Sequence, residues 1–302
     1  MSQQSTNHIL MIEPAEFYAN PETMETNVYQ VDDAGEDHHD IFLRALDEFR
    51  TFRNKMVTSG VNVTTAHGHK GRPDMLFPNW VATLPNGKMM LCPMLNENRR
   101  AERVPEIINV LARSYDEVID WTAYEHDGLF LESTGSICLD HINKIVYSAL
   151  SRRTSRELVE KWADLMGYDA EIFDTMSDPK NPDSKPVYHT DLVMNIGTTM
   201  ASVCASCIVE ADRERVVNRL KSTHEVMELS IEQLRSFCGN ALEVQGRDGT
   251  KMLAISGAAH DALNKDQLEM IGRHYASIIH SPLPTIEKYG GGSARCLLLE
   301  VF

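Results

Sequence analysis

Trp80-Val81-Ala82-Thr83-Leu84-Pro85-Asn86-Gly87-Lys88-Met89-Met90-Leu91-Cys92-Pro93 is the stretch whose reading decides the fold. An apolar run enters a Leu-Pro-Asn-Gly turn and leaves as a second apolar run, which reads as a hairpin. An amphipathic helix follows near Arg99 to Ala112. The same order then returns three times. The second unit is strand Leu129 to Leu139, turn Asp140-His141-Ile142-Asn143, strand Lys144 to Leu150 and helix Thr154 to Met166. The third is strand Leu192 to Ile196, turn Gly197-Thr198-Thr199, strand Ala201 to Val209 and helix Ala211 to Leu220. The fourth is strand Ala241 to Gln245, turn Gly246-Arg247-Asp248-Gly249, strand Lys251 to Ile255 and a helix around Asn264 to Arg273.

A fifth unit is split between the two ends of the sequence. Cys296 to Phe302 supplies one strand, and His8-Ile9-Leu10-Met11-Ile12 supplies its partner before Pro14. An acidic loop, Gln30 to His39, leads into a helix from Asp40 to about Thr58, with Ile41, Leu43, Leu46, Phe49 and Phe52 at helical spacing. Val61 to Thr65 follows as a strand. Similar units at a period of roughly 50 residues point to radial repetition, as in propeller blades. The competing architecture is a two-layer α/β sandwich, for which alternating strands and helices are equally natural. Complementary ends favour the closed ring: an α/β five-bladed pseudosymmetric propeller in one domain, residues 1–302.

Composition narrows the partners. The 302 residues carry 42% hydrophobic and 24% charged side chains, enough apolar material for a large core. A formal net charge of −15 excludes a nucleic-acid backbone and an anionic membrane surface as partners, since both require basic surface. No run approaches the ~20 apolar residues of a membrane helix, and Met1 to His8 lacks an apolar signal core. Six cysteines without a secretory signal read as free thiols in a reducing compartment, so a cytoplasmic location is expected. A homo-oligomer is compatible with all of this, but nothing in the sequence sets its order.

Few residues have chemistry to offer. In Gly290-Gly291-Gly292-Ser293-Ala294-Arg295-Cys296, a thiol follows a glycine loop at the lip of an apolar run. It reads either as a nucleophile or as a small buried residue. Glu132, in Leu131-Glu132-Ser133-Thr134-Gly135-Ser136, has small neighbours that leave room for a ligand; the alternative is a solvent-facing strand glutamate. His189 and Asp191 are two apart, so a strand puts them on one face, as a proton carrier and a cation-binding carboxylate or as a hydrogen-bonded structural pair. His67-Gly68-His69 has one-face spacing but no further ligand at a telling offset, so no metal is expected. Cys204 and Cys207 match a CxxC spacing, but on an apolar strand an offset of three separates the thiols, so both read as core residues. No GxGxxG or P-loop is present, and no cofactor is expected.

Taken in order, Glu132-Ser-Thr-Gly, His189-Thr-Asp191 and Gly-Gly-Gly-Ser-Ala-Arg-Cys296 resemble the guanidine-modifying superfamily of arginine deiminases, dimethylarginine dimethylaminohydrolases and amidinotransferases. Arg72-Pro-Asp74-Met-Leu-Phe-Pro-Asn79-Trp80, Asn98-Arg99-Arg100-Ala-Glu-Arg103 and Ser151-Arg152-Arg153-Thr154 extend the likeness over nearly the whole chain. Pro14-Ala-Glu-Phe17, Asn20 and Asn27-Val-Tyr-Gln30 add to it. It is nearest to the amidinotransferase-like branch that includes citrulline hydrolases, although that branch carries a doubled asparagine where this chain has Asn79-Trp80.

The resemblance implies a five-bladed α/β propeller with Cys296 as nucleophile and His189 as general acid and base. It implies that Glu132 and Asp191 hold the guanidinium or ureido group, with Asp74 or Asn79 as a second contact. Arg153 is the candidate partner for a substrate α-carboxylate, its alternative being a surface arginine at a helix start. The implied activity is hydrolysis of a C–N bond in a small cationic or ureido amino acid through a covalent cysteine intermediate. Amidino transfer to an acceptor amine uses the same residues, and a catalytically silent propeller that only binds is the third reading.

Overall fold

Hairpins form at the turns of the sequence reading in the computed structural model, which describes residues 3–33 and 35–302. Met1, Ser2 and Ala34, which fall in the polar leading stretch and the acidic loop, lie outside those residues. Val81–Leu84 pairs antiparallel with Lys88–Leu91, with Leu84 opposite Lys88. The chain then crosses over through the helix Pro105–Ala112, and Glu117–Asp120 adds parallel to Lys88–Leu91. This plan of hairpin, helix and parallel third strand occurs five times, giving five three-stranded sheets.

The second sheet is Cys138–Asp140, Ile145–Ala149 and Asp169–Phe173, with helix Arg156–Met166 between the last two strands. The third is Met194–Ile196, Met200–Val203 and Glu225–Glu228, with helix Glu210–Lys221. The fourth is Leu242–Gln245, Lys251–Ser256 and Ser277–Ser281, with helix Lys265–His274, whose Asn264 and Gln267 form a capping box. The fifth closes the ring: Leu299–Glu300 pairs antiparallel with His8–Glu13, which runs parallel to Asn62–His67. First strands of neighbouring sheets touch, Leu299–Glu300 against Val81–Leu84 and Met194–Ile196 against both Cys138–Asp140 and Leu242–Gln245. First strands therefore face the ring axis and third strands the outside. The complementary ends make one blade, and the sandwich alternative falls.

Only one third strand, Asn62–His67, was legible beforehand. Glu117–Asp120 and Glu225–Glu228 are only four residues long with exposed ends, too short to carry an apolar alternation to detect. Other boundaries shift for local reasons. The helix expected from Arg99 to Ala112 is two pieces, Glu97–Arg100 and Pro105–Ala112, because Pro105 has no N–H to continue the first. Leu129 to Leu139 is not one strand: Ser133–Ser136 is a helical turn and pairing starts at Cys138. Leu192 and Val193 close another helical turn, Thr190–Val193, before pairing starts at Met194. The Ala201 to Val209 strand ends at Val203, and Cys296 to Leu298 lies in a turn ahead of Leu299–Glu300.

Apolar residues fill the spaces between blades. Helix His38–Thr58 buries Ile41, Ala45, Phe49, Phe52 and Met56 as one stripe, while Leu43 is exposed. Full burial of Phe49 and Phe52 contributes roughly 2–3 kcal/mol each. No helix among the described residues is long and apolar enough to cross a membrane.

Candidate active site

Each blade contributes the segment just ahead of its inner strand, and these five segments meet. Asp74 and Asn79 precede Val81–Leu84, Glu132 precedes Cys138–Asp140, and His189 and Asp191 precede Met194–Ile196. Cys296 precedes Leu299–Glu300, and Asn240 precedes Leu242–Gln245. All six are buried. One narrow cavity is lined by Asp74, Asn79, Arg99, Arg153, His189 and Cys296, with Phe77, Tyr188, Gly290 and Gly292 as its walls.

Glu132 and His189 do not sit on strands. Glu132 leads into the turn Ser133–Ser136, where Ser133 adopts φ 48 and its Oγ donates to the Val81 carbonyl at 2.5 Å. His189 is the N-cap of Thr190–Val193, and Thr190 Oγ1 donates to the Ser136 carbonyl at 2.6 Å, which locks the two turns together. Strand alternation is therefore not what gathers His189 and Asp191; a helical turn is. A Cβ on Gly135 would fall 2.5 Å from His189 Nδ1, so this glycine exists to admit the imidazole. Gly135→Ala is expected to displace the ring and lower kcat roughly 100-fold or more, as loss of catalytic geometry does. A steady-state assay giving wild-type kcat would show that the ring position is unimportant.

His189 Nε2 lies 2.9 Å from Glu132 Oε2, and Glu132 Oε1 accepts the Leu95 N–H at 3.1 Å. Arg153 and Arg99 approach Oε2 at 3.6 and 4.0 Å. Burial alone would raise the Glu132 pKa, but Arg153, the His189 hydrogen bond and Arg99 outweigh it and bring it to about 2. Both oxygens of this ionised carboxylate are engaged. Glu132 thus sits against the imidazole, with one oxygen on His189 and the other on the Leu95 N–H.

The free acceptors lie elsewhere. Asp191 Oδ2 takes the Cys296 thiol at 3.5 Å and Asp74 Oδ2 takes Asn20 Nδ2 at 2.7 Å, while Oδ1 of each is buried without a partner. His189 Nδ1 is likewise buried and unpaired. Burial raises the pKa of both aspartates despite His189 and Arg295 beside Asp191 and Arg99 beside Asp74. The Cys296 thiol is pushed up by burial and then by Asp191, so it rests as the neutral thiol. Asn79 Oδ1 already accepts from Arg99 Nη1 at 3.2 Å.

Arg153 is 2% exposed and precedes the helix that starts at Arg156, so it is not a surface arginine. Its Nε and Nη2 donate to Thr26 Oγ1 at 3.0 and 2.8 Å, and it stacks over the Tyr188 ring at 4.7 Å. Arg153 and Tyr188 also line an adjoining cleft with Thr26, Glu25, Arg152 and Lys185.

Two buried participants escaped sequence reasoning. Arg99 holds Glu102 at 2.9 Å and the Phe77 carbonyl at 2.6 Å; its signal was an Arg-x-x-Glu pair on one helical face. Asn240 touches the thiol at 3.2 Å, and its only signal is its place before the inner strand of the fourth repeat.

The other motifs stand apart from the site. Ala205–Cys207 is a 3₁₀ turn, where residues three apart eclipse, so Cys204 and Cys207 share one side rather than two. Both are buried, with Cys207 Sγ 3.1 Å from the Cys204 carbonyl. His67 ends its strand, and among the described residues no group of His, Cys, Asp or Glu has metal-holding geometry.

Ring, inner-strand segments and buried thiol define the class of guanidine-modifying α/β propellers, and the solved structures agree on the fold. Apo ArgZ, an arginine dihydrolase from the ornithine-ammonia cycle in cyanobacteria, superposes with TM-score 0.75 at 16% identity, covering 97% of this chain and 40% of that one. The chain thus spans about two fifths of full-length ArgZ. The N-terminal domain of ArgZ bound to product gives TM-score 0.76 at 16% identity over 98% of this chain and 97% of that domain. DDAH from Pseudomonas aeruginosa, as a cysteine-to-serine mutant complexed with citrulline, gives 0.65 at 17% over 97% and 98%. No curated protein matches the chain in sequence. The sequence profile described as N,N dimethylarginine dimethylhydrolase, eukaryotic, matches residues 13–302, and the chain belongs to that family.

Proposed function

We propose that this protein hydrolyses the guanidino C–N bond of an arginine-type amino acid, N-methylated arginine first among them, with Cys296 as nucleophile. Family membership supports the substrate class. The observation that carries the reading is a pair of buried acceptors without partners, Asp74 Oδ1 on a residue that lines the cavity with Cys296 and Asp191 Oδ1 on the carboxylate that touches the thiol, with His189 Nδ1 as a third unpaired atom. Buried carboxylate oxygens without partners are costly unless a ligand supplies donors. A guanidinium supplies them in one plane.

Binding that cation offsets the burial that keeps Cys296 protonated, so the substrate assists formation of its own nucleophile. The thiol proton is released to solvent as the cation binds and is regained when the product leaves; the thiolate attacks the guanidino carbon and the Sγ–C bond forms. His189, as imidazolium held by Glu132, protonates the departing amine as the C–N bond breaks. The neutral imidazole then takes a proton from water, which adds to the thiouronium carbon. The Sγ–C bond breaks, citrulline leaves, and the proton on its ureido oxygen passes to the freed amine. With arginine the amine is ammonia. Arg153, shared by the cavity and the cleft, is the proposed α-carboxylate partner, with Arg152 and Lys185 as further cations at the rim.

Mass spectrometry of products from arginine, citrulline, agmatine and mono- and dimethylated arginines, with and without an acceptor amine, tests the reading. Citrulline with the matching amine is expected. A guanidinylated acceptor would mean amidino transfer instead. Because burial raises Asp74 and Asp191, protons compete with the cation for the same oxygens. KM is therefore expected to rise as pH falls, by up to about tenfold per pH unit for each proton displaced. A KM that does not move on acidification would exclude those carboxylates as the cation site.

A further inference from the structure

We infer that Asn240 is a catalytic residue: its side-chain amide is the fixed hydrogen-bond donor that stabilises the Cys296 thiolate. The inference rests on the reading of Cys296 as nucleophile and adds the one blade that reading leaves without a role.

The four other blades place Asp74 and Asn79, Glu132, His189 and Asp191, and Cys296 ahead of their inner strands. Asn240 holds the equivalent place, two residues before Leu242–Gln245, and is completely buried. Its amide has one orientation. Oδ1 accepts the backbone N–H groups of Arg295 and Cys296 at 3.0 and 3.3 Å, so the NH2 group must face the other way. There Nδ2 donates to the Asp191 carbonyl at 3.2 Å and to Cys296 Sγ at 3.2 Å. A swapped amide would set its donors against two backbone donors.

The local backbone is shaped to deliver this side chain. Phe237 adopts φ 61, and a Cβ on Gly239 would fall 2.0 Å from the Leu192 carbonyl oxygen. Glycine is thus required for the Asn240 segment to lie against the turn that carries Asp191. One residue ties the nucleophile, its neighbouring carboxylate segment and the inner strand of a third blade. A neutral thiol gains little from a donor aimed at sulfur, whereas a thiolate gains a charge-assisted hydrogen bond. Burial and Asp191 drive the thiol pKa up, and Asn240 acts against them.

The test compares Asn240→Asp and Asn240→Ala with wild type. Asn240→Asp keeps an oxygen for the two backbone N–H groups but turns an acceptor towards sulfur, so a purely structural role predicts the milder defect for it. A donor role predicts the reverse order. The charged groups facing the sulfur, Asp191 and Arg295, stay in place in both variants. Alkylation of Cys296 by iodoacetamide, read across pH by mass spectrometry of its peptide, reports the thiol without requiring turnover. The expected result is an alkylation profile displaced upward by about one pH unit or more in Asn240→Asp, with a smaller displacement in Asn240→Ala. Loss of roughly 10- to 100-fold in kcat/KM accompanies it. A wild-type profile in a folded Asn240→Asp overturns the inference; should that variant not fold, a wild-type profile in Asn240→Ala does so. Activity retained by Cys296→Ala would overturn the nucleophile reading separately, since the alkylation profile does not depend on it.

Discussion

Cys296→Ala is expected to lose turnover by at least about 10⁴-fold while still binding arginine, because the proposed covalent route has no substitute nucleophile in the cavity. The other five cysteines are also buried, and none lines it. Removing the thiol takes away one weak contact to Asp191 and one from Asn240, and the fold rests on neither. Stability is expected to stay within roughly 1–2 kcal/mol of wild type, read as a urea midpoint. Calorimetric titration with arginine checks that the site survives. Turnover retained in this variant would end every covalent reading of the site.

Glu132→Gln is expected to lower kcat by roughly 10²- to 10⁴-fold, with KM changing far less. The carboxylate accepts from Leu95 N–H and pairs with His189 Nε2 while facing two buried guanidinium groups. An amide fills the same space but has one acceptor oxygen for two donors, so its NH2 group opposes either the Leu95 N–H or the imidazole N–H unless the ring changes tautomer. It also leaves Arg153 and Arg99 short of a negative charge, which costs on the order of 3–5 kcal/mol. Were Glu132 the guanidinium clamp implied by resemblance, KM would rise and kcat would hold. The ratio of the two effects separates these roles.

Much of the ring was legible. Leu84-Pro85-Asn86-Gly87 and Gly246-Arg247-Asp248-Gly249 punctuate apolar runs, and turn chemistry of that kind survives any tertiary context. That the N-terminal strand and the C-terminal run complete one blade was legible too, because the apolar run after Cys296 has no hairpin neighbour in sequence, although only Leu299–Glu300 of it pairs. The outer strands were not, since a four-residue strand such as Glu117–Asp120, exposed at all but Ile119, has no pattern of its own. At the site, residue types and order pointed to Cys296, His189, Glu132 and Asp191. Their geometry could not be read, because Ser133–Ser136 and Thr190–Val193 are single helical turns too short for periodicity to reveal. Nor could the division of labour among the carboxylates. Whether Glu132 or Asp74 is free for a ligand depends on partners 37 and 54 positions away, Leu95 and Asn20. Asn240 shows the same limit, since its meaning comes from a sulfur 56 positions distant.

Rapid-quench mass spectrometry of the intact protein during turnover of dimethylarginine tests the central claim most directly. A transient mass increase on Cys296, equal to the substrate less its departing amine and absent in Cys296→Ala, is the predicted result. Citrulline appearing at full rate with no adduct on that sulfur at any quench time would contradict it.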